Sequence, residues 1–174
     1  KGLNIFNSKY ILASSETATD QDYNRISTIV AHEYFHNWTG NRITCRDWFQ
    51  LTLKEGLTVF RDQQFTSDLI GEDVSRIDEI KTLFENQFPE DNGPTSHPIR
   101  PESYIEINNF YTPTIYEKGA EIIRLIFNIL GEKKFLKGFK KYIKDFDGQA
   151  VTCDDFLNAM GDANGVNIKN IQNW

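Results

Sequence analysis

Only two cysteines and three histidines occur among the 174 residues. Cys45 and Cys153 lie far apart and form no C-x-x-C, so no disulfide framework is expected. Sequence leaves a single bridge open, but reduced thiols in a cytoplasmic setting are the plainer reading. Long apolar runs are missing as well. The longest pulse, Ile122 to Leu130, is interrupted by Arg124 and Asn128 and falls far short of the roughly 20 residues of a membrane span. No leader-like or lipidation pattern is present, so no membrane partner is expected. Basic blocks are lacking too. The pairs Lys133-Lys134 and Lys140-Lys141 read as a solvated helix face, and the formal net charge is -6 with a pI near 5.1. That balance argues against nucleic acid as a partner.

What is present is a globular composition. The chain is 39% hydrophobic and 13% aromatic, with 13 Phe and 7 Tyr, enough to bury a core as one domain. It begins at Lys1 without an initiator Met and stops at Trp174 without a closing signal. The expectation is a piece of a longer protein whose flanking domains lie elsewhere.

Residues 3–12 mix β-formers with Asn and Ser and predict one or two short strands at a sheet edge, so that 1–13 forms a β edge and 20–174 a helical part. A helix is expected from Thr19–Asp22, where Thr and Asp offer caps, through Ile26, Ile29, Val30 and Phe35 to Trp38, ended by Gly40. Further helices are expected over about 53–68, 72–87, 114–130 and 132–146, with Pro113 just before the start of the 114–130 helix. Thr152 and Asp155 have capping-box spacing for a short helix. Residues 89–101, with Asn92-Gly93-Pro94 and three further prolines, read as a long surface loop. Phe135, Phe139 and Phe146 share one helical stripe and read as core.

The chemistry concentrates at His32-Glu33-Tyr34-Phe35-His36. Two histidines at i and i+4 lie about 40° apart around a helix and roughly 6 Å apart along it, so both rings can close on one ion. Glu33, about 100° round from His32, is placed beside such an ion without ligating it. There it can take a proton from water and pass it to a leaving amine. H-E-x-x-H within a helix is a recognised zinc-peptidase signature. A catalytic zinc takes three protein ligands and keeps one position open. Spacing alone leaves Glu55 open between third ligand and an exposed helix-start carboxylate facing the helix dipole. His97 reads as a loop anchor, Glu117 as a solvated charge, and Asp154-Asp155 as a helix start.

The runs His32 to Arg42 and Trp48 to Thr58 together resemble the bacterial aminopeptidase N type of zinc aminopeptidase. The family spacing, H-E-x-x-H then eighteen residues then Glu, is reproduced here, and the resemblance implies Glu55 as third zinc ligand. Lys1-Gly2-Leu3-Asn4 looks like the residues that follow the family's Gly-Ala-Met-Glu-Asn motif. Asn108 to Thr112 and Tyr116 to Ala120 look like its later active-site segment. The resemblance implies a mainly α fold, the helical half of a thermolysin-like catalytic domain with a short N-terminal β segment. It implies one Zn²⁺ and peptide substrates with a free N-terminus. It also implies Tyr116 as a hydrogen-bond donor to the developing oxyanion, and Tyr111 in the pocket for the first side chain. The carboxylates that recognise the α-amino group include one in the motif absent here, so little activity is expected of these residues alone. A zinc-dependent endopeptidase and a catalytically silent zinc-binding module are the competing readings.

Overall fold

The computed structural model describes residues 3–168, Asn170 and Ile171. Eight α-helices among them follow one another in the order α1 Ser8–Ile11, α2 Asp20–Phe35, α3 Leu51–Ile70, α4 Glu72–Thr82, α5 Phe88–Asp91, α6 Gly119–Leu130, α7 Glu132–Phe146 and α8 Cys153–Asn164. Two π-helical turns are inserted, Leu83–Gln87 after α4 and Thr114–Lys118 leading into α6. The two strands are β1 Thr44–Cys45 and β2 Ala150–Val151, which pair in parallel with Thr44 opposite Ala150. The chain is mainly α, and among the described residues no helix is long and apolar enough to cross a membrane.

The local signals for α2 and α8 act as capping boxes. Thr19 accepts from the Asp22 amide and Asp22 from the Thr19 amide, and Thr152 and Asp155 repeat the arrangement. Each such cap satisfies two otherwise orphaned N–H groups. The α2 helix ends at Phe35 rather than Trp38, with His36 at its C-cap. Among the described residues the expected β edge at the N-terminus is not found, residues 1 and 2 lying outside them. Residues 3–7 form no strand, and Ser8–Ile11 makes one helical turn capped by Asn7. Leu3, Ile5 and Leu12 are exposed, and a strand without a neighbouring strand leaves its backbone groups unpaired.

The α3 helix is the axis of the molecule, packed against α2, α4 and α6. It is buried almost all round from Leu51 to Phe60, the pattern of a helix enclosed by others. Leu53, Leu57 and Phe60 meet Ile123 and Ile126 of α6, Phe135 and Tyr142 of α7, and Phe156 and Met160 of α8. Backbones nearly touch where α3 meets the start of α6. A Cβ on Gly119 would lie 2.1 Å from Thr52 Oγ1, and one on Gly56 would lie 2.9 Å from Gly119 Cα. Only glycines admit this approach, which brings the Thr114–Lys118 turn onto the end of α3 that carries Glu55.

Candidate metal centre

The last turn of α2 and the first turns of α3 bring three ligating side chains together. His32 Nε2 lies 3.4 Å from Glu55 Oε2, and His36 Nε2 lies 3.2 Å from the same oxygen. The ligating atoms of His32, His36 and Glu55 all fall within 4.8 Å of one another. The two rings are edge-on, with centroids 4.5 Å apart and an interplanar angle of 87°. A tetrahedral ion with ligands at about 2.1 Å separates its ligand atoms by about 3.4 Å. The two nitrogen-to-oxygen distances match that edge, so the donor set fits a tetrahedral metal of N,N,O preference.

The outward nitrogens are both held. His32 Nδ1 donates to Asp62 Oδ2 at 2.7 Å, and His36 Nδ1 donates to the Thr39 carbonyl at 2.9 Å. A carboxylate and a carbonyl only accept, so each Nδ1 carries its hydrogen and each Nε2 turns inward. Such outer hydrogen bonds fix tautomer and ring orientation at metal sites. Thr58 Oγ1 lies 3.2 Å from His36 Nδ1 and 2.6 Å from Thr39 Oγ1, closing a small buried network. The turn that presents the Thr39 carbonyl depends on Gly40, whose φ of 124° is open to glycine. A Cβ there would also sit 2.9 Å from Lys54 Cγ.

Charge in the cluster is concentrated on Glu55, which is 1% exposed. Burial alone would raise its pKa, but hydrogen bonds with His32 and His36 and the charge of Lys54 hold it far below the ordinary range. Lys54 Nζ stands 2.5 Å from Glu55 Oε1 and 3.5 Å from His36 Nε2. Burial disfavours a charged His32, yet its bonds to Asp62 and Glu55 prevail and raise it to about 9. Asp62 is raised to about 6, chiefly by burial, with His32 pulling the other way. The metal-free cluster therefore binds a proton at the place where a cation fits.

Glu33, one residue beyond His32, lines an open cleft of about 750 Å³ with His32, Asp62, Tyr116 and Glu117. The Tyr116 ring is stacked near that of His32, with centroids 6.1 Å apart. Burial raises the Tyr116 pKa, and the charge of Glu55 and a hydrogen bond to it raise it further. Tyr111, 46% exposed, has its ring 6.5 Å from that of Tyr116. His97 is a loop anchor, with Nε2 at 2.9 Å from Thr112 Oγ1 and Nδ1 at 2.9 Å from the Pro98 carbonyl. Glu117 is not a solvated charge. Burial and then the nearby Asp62, Glu79 and Glu121 raise it to about 7. Asp154 opens α8 and pairs with Arg100. Sequence reasoning missed Asp62, Lys54 and Thr39. Lys54 carried the only local signal, its adjacency to Glu55.

The whole chain, residues 1–174, matches the family described as the peptidase family M1 domain. It is 60% identical over 174 residues to aminopeptidase N of Escherichia coli (strain K12), covering 100% of this chain and 20% of that protein. It is 27% identical over 182 residues to glutamyl aminopeptidase of Sus scrofa, covering 98% of this chain and 18% of that one. The crystal structure of Legionella pneumophila aminopeptidase A in complex with aspartic acid superposes with a TM-score of 0.89 at 38% identity, covering 100% of this chain and 19% of that chain. The chain thus spans about a fifth of the length of these relatives.

Proposed function

The chain belongs to peptidase family M1, and from that premise we propose that its residues are the metal-binding, helical half of a zinc aminopeptidase catalytic domain. The observation that carries the reading is the convergence of His32 Nε2, His36 Nε2 and Glu55 Oε2 with both outward nitrogens already bonded. Two imidazoles and a carboxylate are a catalytic zinc set that leaves one position open. When bound, zinc supplies a Lewis acid that polarises a scissile carbonyl and acidifies water.

The remaining steps belong to side chains of this chain. Glu33, on the cleft wall beside His32, takes the proton of the attacking water and returns it to the leaving amine. Tyr116 donates a hydrogen bond to the oxyanion as negative charge develops. Its raised pKa keeps the phenol protonated for that purpose, and such a donor contributes on the order of 3 kcal/mol. Tyr111, exposed beside Tyr116, lines the pocket for the substrate's first side chain. The substrates are peptides with a free N-terminus. Because the relatives are about five times longer (the chain covers 20% of aminopeptidase N), the 174 residues alone are expected to hold zinc and to turn peptides over poorly.

The test is Glu33→Gln in the full-length enzyme, with zinc content measured beside turnover. Zinc should be retained while kcat falls by a factor of about 10²–10⁴. Intact turnover would refute Glu33 as base. An N-acetylated peptide should be a poor substrate, and its efficient cleavage would replace the aminopeptidase reading with an endopeptidase.

A further inference from the structure

Tyr116 stands in the middle of the π-helical turn Thr114–Lys118. Thr112 caps part of its start, its Oγ1 accepting from the Ile115 amide at 3.4 Å and its carbonyl from the Tyr116 amide at 3.1 Å. Pro113 occupies the N-cap position and offers no side-chain acceptor, so the Thr114 amide must find its acceptor elsewhere. It finds one 24 positions earlier in the chain. Glu90 Oε2 accepts from the Thr114 amide at 2.8 Å and from Thr114 Oγ1 at 2.6 Å. Thr114 is fully buried, so losing this acceptor would leave two donors without water to replace it. The neighbouring Asp91 accepts from Lys118 Nζ at 2.7 Å. Both ends of the five-residue turn are thereby tied to the single short helix α5. Its middle is held from below, where Thr52 Oγ1 donates to the Ile115 carbonyl at 3.0 Å. A π-turn is a rare conformation that needs such outside support.

We propose that Glu90 is a positioning residue for Tyr116: its carboxylate caps the π-turn and so fixes where the Tyr116 hydroxyl stands relative to Glu55 and His32. The inference rests on the reading of Tyr116 as oxyanion donor. Glu90 touches neither substrate nor reacting atoms, and its effect passes through the backbone of 114–116. Small displacements of a donor are costly, since about 1 Å of misplacement can lower a rate by about 10²-fold.

A double-mutant cycle in the full-length enzyme tests this, using E90A, E90Q, Y116F and E90A/Y116F, with kcat and KM determined separately. Y116F should lower kcat by about 100-fold. E90A should lower kcat by about tenfold with KM changed less than about twofold, and E90Q should recover most of that loss. Adding E90A to Y116F should cost nothing further, because residues that act through one another are not additive. In metal-free protein, E90A should also speed amide exchange across residues 112–118 while α7 and α8 stay protected. If E90A does not fold, E90Q carries the same cycle, with a loss of about threefold that disappears in the Y116F background. Unchanged kcat in the Glu90 variants, losses that multiply with Y116F, or unchanged exchange at 112–118 would overturn the inference alone. Wild-type turnover by Y116F would overturn the oxyanion reading and this inference with it.

Discussion

Asp62 Oδ2 lies 2.7 Å from His32 Nδ1, and this buried pair decides which nitrogen of His32 faces Glu55. The carboxylate comes from the second half of α3, two turns beyond Glu55, so one helix supplies both a ligating oxygen and the group that orients a ligating ring. Asp62→Ala should leave His32 free to rotate and weaken zinc binding by about 10–100-fold. Competition against a chromophoric chelator measures it, and an affinity equal to that of the unaltered protein would remove Asp62 from the site's design.

The same pair sets a pH dependence. Without metal, burial opposes a charge on His32, but Asp62 and Glu55 hold its pKa at about 9, above the ordinary 6.5. Zinc must displace that proton. Apparent affinity should therefore rise as pH climbs toward 9, by about tenfold per unit from this proton. Calorimetry at pH 8 in two buffers of different ionisation enthalpy should show about one proton released per zinc. Zinc uptake with no proton release would contradict the protonated cluster. The sign for stability is the reverse. A folded pKa above the unfolded value stabilises the metal-free fold fully below pH 6.5, and that contribution is lost as pH rises through 9.

Glu117 behaves oppositely to a stabilising carboxylate. Burial, then Asp62, Glu79 and Glu121, raise its pKa to about 7 from 4.5. Its ionisation thus begins to destabilise the fold above pH 4.5, and the cost is complete above pH 7. Glu117→Gln should stabilise the metal-free chain at pH 8 by about 1–3 kcal/mol and change little at pH 4. Urea denaturation at the two pH values reads this difference. Equal effects at both would mean that the carboxylate's charge is not the cause.

The residues that were legible in the sequence are those whose geometry is local. Thr19 with Asp22 and Thr152 with Asp155 are three positions apart, so their capping boxes depend on nothing distant. His32 and His36 share a helical face because of their spacing alone. Glu55 was ambiguous for a physical reason: its reach to the histidines depends on how α2 packs on α3, which spacing does not encode. Asp62 is 30 positions from His32, and Glu90 is 24 from Thr114. Both roles arise only after the helices have packed. The π-turn under Tyr116 leaves no mark in composition distinct from an ordinary helix start. The opposite error occurred at residues 3–12, where strand-forming side chains have no strand beside them among the described residues and one turn of helix forms instead.

The most direct test of the metal centre is a crystal structure of the zinc-loaded protein, with anomalous data collected at the zinc absorption edge. The expected result is one zinc peak bounded by His32 Nε2, His36 Nε2 and a Glu55 carboxylate oxygen at about 2.0–2.2 Å, with His32 Nδ1 still on Asp62. A peak elsewhere, or a loaded protein whose zinc lacks any one of these three ligands, would contradict it.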